Sequence, residues 1–281
     1  MHEAFQHDFE TGRWSGRIGF ALHGVSFGIR FDDAAAGEVV RRIVPRAALP
    51  SDYLSSEHRF SLISAGGDGA NGLFFDTRDF EPVLKFDRLD GGTEKGLETK
   101  FQFALALAAA PRLFFLHAGA VAIGNIGVLI LGRTGSGKTT LVGELLRRGA
   151  DLCTDDCAIL DPAGNLYPNP APLAVRTGDG RAFRGPEEFG SIAASRVVPV
   201  ALVVAARYEH GAAWAPEAEA SGGGAFNVLG NLFYPPAIRE FPRETLGFAG
   251  LIAKRGIYSG TRGEATEVAE WIFGTIGRGH G

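Results

Sequence analysis

The stretch Gly132-Arg133-Thr134-Gly135-Ser136-Gly137-Lys138-Thr139 satisfies G-x-x-x-x-G-K-[ST], and few short sequences constrain a fold as tightly. The motif works only where a strand ends and a helix begins. Its glycines turn backbone N–H groups inward onto phosphate oxygens, and the helix N-terminus behind them adds a favourable dipole. Both flanks are present, because residues 127–131 read as an apolar strand and 138–148 as a helix. In that setting Lys138 would reach the terminal phosphates and the Thr139 hydroxyl would ligate Mg²⁺, with Thr140 beside them in the first helical turn. The expected ligand is a nucleoside triphosphate. A glycine-rich turn that matches by chance is the alternative, and the flanking elements argue against it.

Around this motif the chain divides into two expected units. Apolar runs over 17–31, broken at Gly24 and Gly28, predict strand, turn and strand, and the Ala-rich 34–44 predicts a helix. Shorter runs at 59–64, 73–76 and 82–86 alternate with Gly-rich or acidic turns, so residues 1–95 are expected to form a small β-rich unit. Residues 93–110 carry helix formers up to Pro111 and predict a connecting helix. The second unit, 96–276, reads as strand 113–123, a Gly124-Asn125 turn, strand 127–131, helix 138–148 and strands 151–154 and 158–160. A proline-rich loop follows at 168–172, then a buried strand at 197–206. A Gly-rich loop at 221–224 opens a short helix through 232, and helix, strand and helix close the unit over 243–276. Residues 277–281 are expected as a flexible tail. The fold class expected is α/β.

Binding a nucleotide does not by itself choose a reaction. Asp155 and Asp156 end the run Asp151-Leu152-Cys153-Thr154, soon after the glycine-rich loop and its helix, where a strand terminus would hold two carboxylates near phosphates and metal. One can hold Mg²⁺ while the other accepts a proton, and their mutual repulsion raises one pKa unless a cation intervenes. A solvated Asp-Asp turn is the plain alternative. His117, within an apolar strand, is by itself more often a hydrogen-bonded core residue than a catalytic one. Arg176, Arg207 and Arg239 lie near proposed strands or loops, where any of them could steady a transferring phosphoryl group or simply face solvent. Cys153 and Cys157 straddle the Asp pair without the second ligand pair of a zinc site, and read as small buried residues rather than a redox switch.

Taken together, Leu116-His117-Ala118-Gly119-Ala120-Val121, the glycine-rich loop and Thr154-Asp155-Asp156 resemble the catalytic core of HPr kinase/phosphorylase and its HprK-related kinases. The resemblance is best over residues 113–176 and continues, more weakly, over 197–232. It implies a P-loop kinase core of the HPr kinase type, moving the γ-phosphoryl group of ATP to a hydroxyl. By the same resemblance Asp155 would be the catalytic base, Asp156 and Thr139 would lie at Mg²⁺, and His117 would flank the phosphates and Asp155. The glycine-rich signature by which HPr kinases engage HPr is not found here. The proline-rich segment after the Asp pair looks more like HprK-related kinases, so the expected acceptor is a hydroxyl on a peptide, protein or small molecule.

Composition narrows the partners. Lys plus Arg is 28 against 32 Asp plus Glu, a formal net charge of −4, so no global positive field draws in nucleic acid. The most apolar stretch, 197–206, is too short to span a bilayer, which needs about 20 residues. No membrane partner is expected. The N-terminus lacks the basic and apolar regions of a signal peptide, and with the cysteine usage this points to a cytoplasmic protein. A homo-oligomer is kept open. Two further functions stand beside the kinase: a non-catalytic ATP-binding sensor, and a carboxykinase-related enzyme that would want further metal-binding His and Lys residues.

Overall fold

The computed structural model describes residues 14–44, 48–64, 72–76, 82–86, 102, 105–106, 109–177, 180–233 and 242–278. The chain is mixed α/β with several sheets. It forms two compact units, Met1–Ala108 and Ala109–Gly281. The boundary expected near residue 95, and most of the expected connecting helix, lie outside the described residues, as do Arg239 and residues 279–281.

In the first unit, β1 (Gly16–Leu22), β2 (Val25–Phe31), α1 (Ala34–Ile43), β3 (Leu49–Ser51), β4 (His58–Ile63), β5 (Gly72–Asp76) and β6 (Pro82–Phe86) follow in chain order. The sheet runs β3-β1-β2-β4-β5-β6. His23 and Gly24 both have positive φ, 49° and 85°, which matches the right-handed twist of the hairpin they join. Gly28, expected to break a strand, lies inside β2. A Cβ there would come 2.6 Å from the Tyr53 ring, so the glycine makes room for a neighbour rather than ending the strand. Asp33 caps α1 by accepting from the Ala36 amide at 2.7 Å.

The second unit contains β7 (Phe114–Ile123), β8 (Ile126–Leu131), α2 (Lys138–Arg147), β9 (Asp151–Thr154), β10 (Cys157–Leu160), β11 (Asn165–Tyr167), β12 (Leu173–Thr177) and β13 (Gly180–Arg184). A short 3₁₀ turn, Pro186–Phe189, precedes β14 (Val198–Tyr208), β15 (Glu217–Ala218), α3 (Ser221–Gly230), α4 (Arg243–Ala253), β16 (Ile257–Arg262) and α5 (Ala265–Arg278). Its large sheet runs β11-β10-β7-β8-β14-β16-β15, with β9 also on β7. Strands β8, β14 and β16 are parallel, whereas β7 pairs antiparallel with β8, β9 and β10.

Strict alternation along β8 explains why this sheet is covered on both faces. Leu129 and Leu131 join a core with Val228 of α3 and Phe248 and Ile252 of α4. Val128 and Ile130 join the opposite core with Leu141, Val142 and Leu145 of α2 and Val268 and Ile272 of α5. The glycines at 221–224, expected as a loop, are the first residues of α3, and Gly224 lets that helix come within van der Waals contact of Ile257 and Ala253. Helix α5 continues through Arg278, two residues into the segment expected as a tail. The hairpin of β12 and β13 was not legible in the sequence. Among the described residues, no helix is long and apolar enough to cross a membrane.

Candidate functional site

The glycine-rich loop sits where parallel strand β8 ends and α2 begins. Gly132, Gly135 and Gly137 have φ of 149°, 87° and 87°, a region that L side chains rarely adopt. The Ser136 amide closes a tight turn on the Arg133 carbonyl at 3.1 Å, and the Leu141 amide makes the first helical bond to Gly137 at 3.0 Å. The preceding amides of the first turn have no intrahelical acceptor and are directed at the loop. Helix α2 is pinned under it by Leu141, Val142, Leu145 and Leu146, each at most 1% exposed. Burial of each such side chain stabilises by about 1.5–3 kcal/mol, so the loop rests on a rigid base.

Opposite this loop, the two carboxylates stand at a break in pairing. Strands β9 and β10 lie end to end along β7, β9 against Ala120–Ala122 and β10 against Phe114–His117. Asp155 and Asp156 occupy the interval, held to β7 by the Ala118 amide on the Asp156 carbonyl at 3.1 Å. Thr154 Oγ1 accepts from the Cys157 amide at 3.2 Å and closes the turn.

That turn points the two side chains in different directions. Asp155 is 7% exposed, accepting from Thr139 Oγ1 at 3.0 Å and from the Ala174 amide at 3.4 Å. Its Oδ1 is buried without a hydrogen-bond partner. Burial pushes its pKa up, against the lowering effect of the Thr139 and Ala174 bonds and of the Lys138 charge. The Asp156 side chain is 42% exposed, and its Oδ1 lies 3.0 Å from His117 Nδ1.

Lys138 links the loop to this pair. Its Nζ donates to the Gly132 carbonyl at 2.6 Å and the Arg133 carbonyl at 3.3 Å, and lies 3.1 Å from His117 Nε2. An ammonium only donates, so Nε2 accepts, and Nδ1 carries the proton that faces Asp156. Burial holds the Lys138 pKa below its usual value, opposed by the charges of Asp156 and Asp155. The His117 backbone is fixed by the Asn231 carbonyl at 2.6 Å, and the Phe233 ring stands edge-on to the imidazole at 5.9 Å. This contact of 231–233 with β7 has no local signature in the sequence.

The residues singled out from the sequence therefore come together: Gly132 to Thr139, His117, Asp155 and Asp156. Thr140 is exposed on the first turn of α2. The pairing differs from the expected one, because Thr139 meets Asp155 rather than Asp156, and His117 meets Asp156 rather than Asp155. The reason is the turn itself, which buries the first carboxylate under β12 and leaves the second open. Cys153 and Cys157 are both buried, and burial pushes the Cys153 thiol up to about 12, which makes it inert as a thiolate.

Of the arginines considered, Arg207 bonds to Glu209 and Thr261 on the surface. The residue that sequence reading missed is Arg262, at the end of β16. It is 2% exposed, donates to the Gly137 carbonyl at 3.0 Å and the Gly263 carbonyl at 2.8 Å, and lies over the Tyr208 ring at 5.5 Å. Among the described residues, no group of three or more His, Cys, Asp or Glu side chains is placed to hold a metal ion. The chain matches no protein-family model, and no curated protein matches it.

Proposed function

We propose that this chain is a Mg²⁺-dependent kinase that transfers the γ-phosphoryl group of ATP to a hydroxyl of a peptide, protein or small molecule, its second unit acting as a P-loop core of the HPr kinase type. The observation that carries the reading is the division of labour within the Asp pair. One carboxylate is buried against the Thr139 hydroxyl, and the other is open to solvent and oriented by His117.

Thr139 and Asp155 suit Mg²⁺. Two oxygen ligands from the protein are what this cation takes when phosphates and waters complete its octahedron, and the unpartnered Asp155 Oδ1 is a ligand atom in waiting. Bound there, Mg²⁺ would neutralise charge on the phosphates. The loop amides and Lys138 would hold the β- and γ-phosphates, Lys138 exchanging its carbonyl partners at Gly132 and Arg133 for phosphate oxygens. Asp156 would take the proton of the acceptor hydroxyl, since an acceptor can approach it and cannot approach Asp155. His117, bridging Lys138 and Asp156, would orient that base. The acceptor oxygen bonds to the γ-phosphorus as the bond to the β,γ-bridging oxygen breaks, and ADP leaves with the electron pair.

The test is transfer of label from γ-labelled ATP to serine- and threonine-containing peptides, small alcohols and HPr, followed by mass spectrometry. Transfer to a peptide or small-molecule hydroxyl, with HPr a poor acceptor, is expected. Bound ATP without transfer to any acceptor overturns the kinase reading in favour of a nucleotide sensor.

A further inference from the structure

We infer that Arg176 is a catalytic residue of the proposed kinase, an arginine supplied by the β12–β13 hairpin to the γ-phosphoryl group during transfer; the inference rests on the nucleotide reading of the glycine-rich loop. Three observations carry it. The hairpin is rooted beside the chemistry, because Leu173 is fully buried in the core under α2 and the Ala174 amide donates to Asp155 Oδ2. Alternation along β12 then sends Leu173 and Val175 toward that core, and Ala174 and Arg176 to the other side. Arg176 Nη2 consequently leans over the loop, 3.7 Å from where a Cβ on Gly135 would stand.

The chemistry of the neighbouring arginines distinguishes this one. Both terminal nitrogens of Arg262 are committed to backbone carbonyls, and Arg207 is tied to Glu209 and Thr261. Arg176 has no hydrogen-bond or ion-pair partner among the described residues, so its donors are available. A guanidinium presents paired donors that match the equatorial oxygens of a phosphoryl group in flight, where charge is spread over three oxygens. The step needs nothing beyond the proposed transfer. As the acceptor–phosphorus bond forms and ADP departs, Arg176 holds the equatorial oxygens and neither gains nor loses a proton.

The experiment compares the affinity of the full chain for ADP with Mg²⁺ and for ADP with Mg²⁺ and aluminium fluoride, a mimic of the phosphoryl group in transfer. It uses the wild type, Arg176→Ala and Arg176→Lys. The wild type is expected to bind the fluoride complex at least about 10-fold more tightly than ADP. Arg176→Ala should lose most of that increment, weakening the fluoride complex at least about 10-fold while ADP affinity changes less than about threefold. Arg176→Lys should recover little, because an ammonium lacks the paired donors. Equal weakening of both ligands in Arg176→Ala, an unchanged increment, or no increment in the wild type overturns the inference while leaving the nucleotide site standing. Failure of the wild type to bind ADP at all overturns the nucleotide reading with it.

Discussion

Asp155 and Asp156 are neighbours in sequence with unlike surroundings, and each surrounding predicts a different defect on substitution. Asp156 is open and paired with His117, so Asp156→Asn should keep ATP binding and slow phosphoryl transfer by at least about 10²-fold, the usual contribution of a general base. Transfer at the wild-type rate in that variant would remove Asp156 from the role. Asp155→Asn should weaken Mg²⁺-dependent nucleotide binding and, without nucleotide, stabilise the protein. Burial raises the Asp155 pKa above its unfolded value, so the folded state holds the proton more tightly. Stability attached to this group therefore declines as pH rises through the raised pKa, and the ionised carboxylate is a burden at neutral pH. Replacing it by the neutral amide should add about 1 kcal/mol, or about 3 °C in Tm, at neutral pH. The gain should shrink as pH falls through the raised pKa toward the ordinary carboxylate range. Thermal melts of the nucleotide-free proteins across pH measure this, and a variant less stable than wild type at neutral pH would contradict the account.

At the scale of elements, the loop is held from behind by a strand far away in sequence. Arg262 on β16 bonds to the Gly137 carbonyl, and a Cβ added at Gly137 would run into its guanidinium, at a φ of 87° that disfavours any side chain. Gly137→Ala should lose the left-handed conformation at a cost of about 1–2 kcal/mol, with a further penalty for displacing Arg262, and should abolish nucleotide-dependent stabilisation. Gly247, exposed inside α4 with nothing within 4 Å of a Cβ, is the control. There an alanine should stabilise by about 0.5–1 kcal/mol through helix propensity. Denaturant midpoints of the two variants should move in opposite directions. A neutral Gly137→Ala would mean that the loop tolerates a side chain and that its geometry is not what holds phosphate.

For the whole molecule, the two units can be told apart by ligand response. The glycine-rich loop, both carboxylates, His117 and Arg262 all belong to Ala109–Gly281. Mg-ATP should therefore raise the melting temperature of the transition that carries this unit, by a free energy of about 2.7 kcal/mol at a hundredfold excess over Kd. Lys138→Ala should remove most of the shift, since Nζ, bonded to the Gly132 carbonyl here, would in the proposed reading turn to phosphate. Calorimetry of the full chain with and without Mg-ATP measures it. No shift in the wild type at millimolar Mg-ATP would end the nucleotide assignment.

What was legible in the sequence is what short-range physics encodes. The apolar run at 127–131 and the glycine spacing at 132–137 predicted a strand, a loop and a helix in that order, and the Asp pair announced itself by composition. Local pattern could not say which carboxylate would be buried, because that depends on β9 and β10 sharing β7 as a partner with Asp155 and Asp156 in the interval between them. Nor could it find Arg262. Its contact with Gly137 spans 125 positions and exists because β14 and β16 lie parallel, with Tyr208 opposite Arg262. The sequence by itself determined the chemistry-bearing residues and the elements that carry them, through periodicity and backbone preference. Only the tertiary structure decided their partners, because burial and hydrogen bonding between distant strands are properties of the packed sheet and of no segment within it.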